Sequence, residues 1–558
     1  MRHFIIVQQS LFIDMSDVEP FLGKIKSLLD LLEESGVARY FPEPEAPNLG
    51  GRPDYDPCSM FAAVALAFSM KTSSLRDIES LCRFDVRFRA ILGGQVPSHE
   101  SFQRFINGVV SPSADGIFGC VARAIAARFS LPLADHFVDG TKIEANANKY
   151  KFVWRPAKAH LRLSDRARAL LGGLSMAANV PEKGTVPSAL LASKLTELGA
   201  MMAALGESPK AGGRGRRITP YQRAYNGLSA YLEKALDYEE RERICGEGRN
   251  SYYKTDVGAT AMCLKEDYYS GLGSEMHAGY NVQFDVSDGL ICAFDVSQER
   301  NDMYAFVPVV SKISSMIGKK PENVCADAGY GSARNFAYLR ERGIGNYVKS
   351  ARWAGEMSGD SPALYSFGGG GLVCLAGRKG EEIDDPAVRR RKRGSKLFLV
   401  RGCSRCQFRA HCWQFLKKKT GNERVFEVSP GFEADLEESR RNLRSPKGIE
   451  LRVNRSVQVE GSFGNVKQNM GYTRFRRRGL EAARAEVMMV CLGFNVRRFF
   501  RMAEKGVPRF WKAPDGLKAE EPKKPNPKTL CRRARNSREF SVNETSKKGY
   551  KRPKIKRK

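Results

Sequence analysis

At 558 residues the chain is too long for one ordinary hydrophobic core, and its length points to roughly two to four domains. Its 92 Lys and Arg against 62 Asp and Glu leave a net charge of +30 and a sequence pI near 9.7, an excess that calls for nucleic-acid phosphates or an anionic membrane surface as partner. No uninterrupted apolar span of about 18 residues is legible, which argues against a transmembrane helix. The opening MRHFIIVQQSLFIDMSD is broken by Gln8, Gln9 and Ser10 where a secretory signal would stay apolar, so the expected place is the cytoplasm, associated with the nucleoid.

A leader over 1–45 ends in the Pro/Gly-rich connector FPEPEAPNLGGRPDYDP. Over 46–130 apolar residues recur at helical spacing (Met60, Val64, Phe68, then Leu75, Ile78, Leu81), and Ser98 caps a further helix in VPSHESFQRFI. Basic residues on the polar faces of this helical unit suit DNA contact, and a packing or dimer module fits the same pattern equally. Residues 131–350 open with HFVDG, which reads as a short buried strand, and are interrupted at about 156–250 by a helical insertion. The insertion's loop GESPKAGGRGRRITP is either a phosphate contact or a solvated linker. GYNVQFDVSDGLICAFDVSQERND predicts a hairpin turning at Ser287, Asp288 and Gly289; a helix, the strand ENVCADAGYGS, a second helix and a strand follow. That order is mixed α/β. Residues 351–446 form a Gly-rich, basic, cysteine-bearing insertion, and helical periodicity returns over 447–511. In 512–558 basic residues outnumber acids and few are apolar, the composition of a disordered tail that holds phosphate without sequence preference.

Thirteen cysteines in a cytosolic chain do not predict a disulfide framework. CSRCQFRAHC places Cys403, Cys406 and Cys412 at C-x2-C-x5-C spacing, with Cys374 upstream as a fourth ligand and His411 as its rival. C-x2-C presents two thiolates from one tight turn to a tetrahedral Zn²⁺. Reduced surface thiols are the competing reading, and a redox pair lacks the βαβ surroundings it would need.

Three acids stand out by position: Asp139 at one strand end, Asp327 at another, and Glu460 inside a late helix rich in Arg, Lys and Asn. A carboxylate on a phosphate-binding surface repels its ligand unless a cation intervenes. Hard oxygen donors suit Mg²⁺ or Mn²⁺, and two such ions about 4 Å apart serve the attacking and leaving oxygens of a phosphodiester. Asp139 is followed by Gly140-Thr141-Lys142 and Asp327 by Ala328-Gly329-Tyr330-Gly331, where small residues let a nucleic-acid backbone approach. Lys467 and Arg474 follow Glu460 at intervals of seven, on one face if the helix runs unbroken. Arg476, Arg477 and Arg478 would hold phosphates, and Asn146 and Lys149 would lie near the cut strand or simply form polar surface. Glu144 is the rival of Asp139, displaced by the latter's place at the strand end.

The blocks FVDGTKIEANANKYKFVWR, NVCADAGYGSARNFAYL and VEGSFGNVKQNMGYTRFRRRG resemble, in that order, the three motif blocks of bacterial insertion-sequence DDE transposases, most closely the eleven-eighty-two type of the insertion-sequence-four superfamily. DPCSMFAAVALAFSMKTSSLRDIE and VPSHESFQRF are similar to that family's N-terminal domain, and GYNVQFDV to its central strands. The resemblance implies an RNase H-like core in which Asp139, Asp327 and Glu460 match the acidic triad and Lys467 the lysine of the glutamate-x6-lysine signature. It implies double-stranded DNA as partner, at terminal inverted repeats and at a target, and a homodimer or larger assembly to pair two ends. The family's Tyr and Arg ahead of the glutamate fall here on Val453 and Ser456, with Arg455 one residue off. The alternative is a non-catalytic DNA-binding regulator or a decayed transposase.

Overall fold

The structure is a computed structural model; it describes residues 15–43, 54–210, 217–264, 275–369, 371–384, 394–414, 416, 421–527 and 530. The chain opens with helices α1 (Met15–Ser35), α2 (Pro57–Ser69), α3 (Leu75–Phe84), α4 (Val86–Ile91), α5 (His99–Phe105) and α6 (Ala114–Arg128). Asp56 caps α2 by accepting the Ser59 N–H, with Pro57 in the first turn, and Ser98 caps α5 through Ser101 N–H. All of α2 except Ser59 is buried. A helix apolar all round must be enclosed by other elements.

The central sheet contains β1 (Asp135–Glu144), and after β2 (Phe152–Trp154), helices α7 (Ala157–Gly173), α8 (Ser188–Ala204) and α9 (Pro220–Cys245), and β3 (Ser251–Tyr253), it continues with β4 (Thr260–Cys263), β5 (Met276–Ser287) and β6 (Leu290–Ser297). Helix α10 (Asp302–Ile317), β7 (Asn323–Ala326), α11 (Ala333–Glu341) and β8 (Gly345–Val348) complete it. The order is β4-β5-β1-β7-β8, with β6 also paired to β5. Strands β1, β7 and β8 are parallel, and β5 runs antiparallel to β1, β4 and β6. The β5–β6 hairpin turns at Asp288 and Gly289, both with positive φ (49° and 77°), the geometry a two-residue hairpin needs.

A small second sheet holds β9 (Tyr365–Gly368), β10 (Gly371–Cys374), β11 (Lys379–Ile383), β12 (Lys396–Arg401) and β13 (Glu423–Val428), preceded by α12 (Trp353–Ser358) and interrupted by α13 (Arg409–Cys412). Helices α14 (Pro430–Arg444), α15 (Pro446–Arg455), α16 (Gly461–Gly464) and α17 (Leu480–Lys505) close the fold. Two π-helical turns, Ser456–Glu460 and Asn465–Asn469, flank α16. The sheet is covered on both faces. Adjacent β5 residues point opposite ways: Phe284 stacks on Phe463 of α16 with centroids 4.6 Å apart, and Gln283 bonds Asp302 of α10.

Several expectations change here. The helical unit 46–130 has no core of its own: α1, α2 and α6 share one continuous apolar core with the sheet and α17, and α1 lies inside the expected leader. Helices α2 and α17 touch so closely that a Cβ on Gly493 would lie 2.5 Å from the Phe68 carbonyl carbon. Helices α7 to α9 do enclose their own apolar cluster, and so does the small sheet. The tail from 512 is not free throughout: Ala513 N–H donates to Glu450, Glu520 N–H to the Arg444 carbonyl and Lys523 N–H to the Met357 carbonyl. Composition marked it as unable to build a core, yet an extended segment can be held through its own backbone N–H groups. Residues 531–558 lie outside the described residues. Among the described residues one helical run, His99–Arg128, is long and apolar enough to cross a membrane, where the sequence reading found none. Its α6 portion packs against α1, α10 and α17.

Candidate active site

The parallel pairing of β1 with β7 ends at Val138 opposite Ala326. The residue after each is an aspartate, so Asp139, inside β1, and Asp327, just past the end of β7, stand side by side where the two strands part. Asp139 is not the end of its strand, as the sequence reading held; β1 continues to Glu144 against β5. What ends at Val138 is the pairing with β7, not β1 itself. Beyond Asp327 the chain turns through Ala328–Tyr330.

A cavity of about 210 Å³ opens where the strands part, lined among others by Asp139, Asp327, Asp302, Lys142 and Lys467. Burial pushes the Asp139 carboxyl above the ordinary aspartate range; Asp327 and Asp302 push the same way, against Arg455 and the Gly140 N–H. Three carboxylates crowding one cavity favour a cation, and the donor set of hard oxygens fits a divalent metal.

Glu460 does not line this cavity. Its Oε1 accepts from Arg455 Nη2 at 3.2 Å and from Ser456 Oγ at 3.2 Å, and Arg455 Nη1 reaches Asp139 Oδ2 at 3.1 Å. Arg455 therefore links the first acid to the third. The turn Ser456–Glu460 explains how an arginine one residue out of place does so. A π turn holds one residue more than an α turn, so it absorbs the offset and returns Arg455 to the face of Glu460.

Lys467 reaches the cavity, but Arg474 is not on the helix with it. The helical run stops after Asn469, and Arg474 lies beside the end of β1, bridging Glu144 with Nε 3.8 Å from Oε1. The expected stripe assumed an unbroken helix, and the chain turns at Gly471, φ 63°. Glu144 is thus held by Arg474 and by His277, 3.7 Å away.

Arg476, Arg477 and Arg478 are docked on other parts of the fold. Arg476 Nε donates to Ser73 Oγ (3.2 Å), Arg477 Nη1 to Asn107 Oδ1 (2.7 Å) and Arg478 Nε to the Asn146 carbonyl (3.0 Å). Asn146 returns a bond from Nδ2 to the Arg476 carbonyl (2.7 Å). Together with Arg76, His99 and Gln103 they line a groove of about 660 Å³ between the N-terminal helices and α17. Lys149 sits 3.7 Å from Glu275 and over the Tyr150 ring.

Cys374, Cys403, Cys406 and Cys412 line one small cavity of the second sheet with Arg424. Burial raises the Cys403 and Cys412 thiols, and the neighbouring cysteines raise them further. Arg424 Nη1 donates to Cys412 Sγ at 2.6 Å. His411 is absent from this lining; its Nε2 faces the Pro362 carbonyl at 3.3 Å. A second group, His136, Asp285 and Cys292, lies within 4.8 Å in the core. Both His136 nitrogens already face oxygens, Asp285 Oδ2 at 2.7 Å and the Leu133 carbonyl at 3.1 Å, so the ring is occupied by hydrogen-bond partners within the core.

Sequence reasoning missed Asp302. It begins α10 behind the cap Asn301 and belongs to no motif block. The available signal was indirect: Asn281 and Gln283, polar in a strand buried on both faces, needed a partner.

Residues 11–108 match the family model described as Transposase domain (DUF772), and residues 373–500 match the one described as Transposase DDE domain. The second match takes in the four cysteines, Glu460 and Lys467; Asp139 and Asp327 lie outside it. No curated protein and no solved structure matches the chain. The mixed sheet with its covering helices is compatible with a DDE transposase fold, and the two matches show a transposase of the DDE type.

Proposed function

We propose that the protein is an insertion-sequence transposase of the insertion-sequence-four superfamily, eleven-eighty-two type, that binds terminal inverted repeats, cuts phosphodiester bonds at the element ends and joins the freed 3′-OH to target DNA. The observation that carries this reading is that Asp139 and Asp327 both follow the last β1–β7 pair and line one cavity with Lys467. The strand order β6-β5-β1-β7-β8, with β5 alone antiparallel, supports an RNase H-like core made of 131–350 and 447–511, with insertions at about 156–250 and 351–446.

Asp139 and Asp327 would hold Mg²⁺ or Mn²⁺, with Glu460 completing the set when Arg455 releases it. Such ions polarise the phosphodiester and lower the pKa of a bound water. Lys467 faces the phosphate at the cut. In hydrolysis a water oxygen bonds to phosphorus, the bond from phosphorus to the 3′ oxygen breaks, and that oxygen takes a proton to leave a 3′-OH beside a 5′-phosphate. In joining, this 3′-OH attacks a target phosphorus and one phosphodiester replaces another, so no external energy source is required. The groove lined by Arg476, Arg477 and Arg478 would grip the duplex through its phosphates, and the four cysteines would hold a structural Zn²⁺. The chain would act as a homodimer or larger assembly on the nucleoid.

A second reading, a DNA-binding regulator without catalysis, is favoured by Glu460 standing outside the cavity, tied to Arg455. Plasmid nicking and inverted-repeat strand transfer with Mg²⁺, run beside Asp327→Ala, separates the two. The enzyme reading expects wild type to cut and the variant only to bind. Binding by both with cutting by neither overturns it.

A further inference from the structure

Asn281, Gln283 and Asp285 occupy alternate positions of β5 and are completely buried, at 0% exposure. Apolar side chains would pack there without the cost of desolvating an amide, so the polar ones need a reason. Asp285 has His136. Asn281 and Gln283 belong to a hydrogen-bonded network that joins Tyr330, in the turn after Asp327, to Asp302, and packs against Gly140 beside Asp139.

Tyr330, three residues after Asp327 and 1% exposed, donates its hydroxyl to Gln283 Oε1. Gln283 Nε2 donates to Asn281 Oδ1 at 2.9 Å and to Asp302 Oδ1 at 3.2 Å. Asn281 Nδ2 donates to the same Asp302 oxygen at 2.7 Å. The Tyr330 carbonyl accepts from Asn335 Nδ2 at 2.8 Å, so the turn after Asp327 is held from both sides. At its other end the amide lies against β1: Gln283 is the register partner of Gly140, and a Cβ there would sit 2.1 Å from Gln283 Nε2. Only glycine lets the amide cover the residue next to Asp139.

We propose that Gln283 is a positioning residue of the metal site, setting the separation of Asp139 and Asp327 through Tyr330 on one side and the Gly140 backbone on the other, with Asp302 anchoring its amide. This rests on the reading of that cavity as a divalent-metal site. Magnesium tolerates little departure from octahedral geometry, so two carboxylates on different strands must be held at a fixed spacing by groups that touch no metal themselves. A chain of buried, mutually satisfied bonds does this better than apolar packing, because each bond has a direction.

The test uses the full-length chain with Mn²⁺ as probe, followed by electron paramagnetic resonance and calorimetry, and thermal unfolding recorded separately. Gln283→Leu is expected to weaken Mn²⁺ binding about tenfold or more at a temperature where it stays folded, with inverted-repeat DNA affinity held within about twofold. Tyr330→Phe should weaken Mn²⁺ in the same direction, and the double variant should be little worse than Gln283→Leu, because the two act through one bond. A purely structural role would lower the melting temperature and leave Mn²⁺ affinity alone. Folded Gln283→Leu binding Mn²⁺ like wild type, while Asp327→Ala does not, overturns the inference and leaves the metal site standing. Asp327→Ala binding like wild type overturns the metal site itself. Should Gln283→Leu fail to fold, Tyr330→Phe decides by the same criterion.

Discussion

The carboxylate cavity and the cysteine cavity are assembled in opposite ways. Asp139 and Asp327 are far apart in the chain and meet because β7 lies parallel to β1, so only the sheet order makes them neighbours. Cys403, Cys406 and Cys412 fall within one short loop and helix, joined by Cys374 from the edge of the adjacent hairpin. The first cavity rests on the continuous central core and the second on a small separate cluster. The two should therefore fail differently when disturbed.

The largest effect is expected at the carboxylate cavity. Asp327→Ala should reduce cleavage more than about a thousandfold, since a lost metal ligand removes several kcal/mol of transition-state stabilisation. Its zinc content, measured by elemental analysis, should be unchanged. Loss of both activities together would mean that the cavities are not independent.

Next comes Cys403→Ser combined with Cys406→Ser. Four thiolates around one metal would supply much of the folding energy of so small a sheet, so the variant should release zinc and open 351–446 to proteolysis at least about tenfold faster. Fragments that stop at 351–446 fit the comparison; cleavage spreading through β1 and β7 would break it.

The same contrast decides what was legible beforehand. The C-x2-C spacing is local, so the cysteines could be named from sequence, and the structure adds only the preference for Cys374 over His411. Asp139 and Asp327 came from small residues after an acid and from a resemblance, because no spacing in the chain encodes a neighbour across a sheet. Asp302 was legible only indirectly for that reason. Arg474 was misplaced since a seven-residue repeat assumes a regular helix, and π turns with a left-handed glycine end that regularity. The helical face of α2 could be read, but not its partner α17, more than 400 residues later; periodicity says that a face is buried and never against what.

Each cavity also carries one arginine bonded to an atom proposed to bind metal, Arg455 on Asp139 and Arg424 on Cys412. At the carboxylates the guanidinium stands where a metal would draw charge, so it competes. Arg455→Gln should tighten Mn²⁺ binding about tenfold, by removing a cation some 3 Å from a ligand oxygen in a half-buried site. Cleavage should not fall with it, because Glu460 is then free to complete the set. Weaker Mn²⁺ binding would reassign Arg455 as a support of the metal site.

A smaller effect follows from protons. Burial raises the Asp139 carboxyl above its unfolded value, so between those two values the folded chain holds a proton that the unfolded chain has lost. Stability then falls as pH rises through that window and stays lower above it. In magnesium-free buffer containing zinc, Asp139→Asn should melt close to wild type in acid and above it near neutrality. Saturating Mg²⁺ should reverse the order, since it stabilises only the chain that binds it. A melting difference independent of pH would remove Asp139 from this role.

The smallest effect tests the other arginine. Arg424 lowers the cost of keeping Cys412 as a thiolate, opposing the burial that raises it, and donates directly to its sulfur. A metal bound by thiolates needs them deprotonated, so here the guanidinium assists where Arg455 competes. Arg424→Gln should weaken zinc only a few-fold, roughly 1 kcal/mol, because the glutamine amide still donates and the remaining cysteines are untouched. The loss should grow as pH falls, since the Cys412 proton becomes harder to displace without the charge. Competition against a zinc-binding dye at two pH values reads it. Opposite signs for Arg424→Gln and Arg455→Gln would establish that one residue type does contrary work in the two cavities, set by whether its partner's charge is needed by the metal or merely neutralised in its absence.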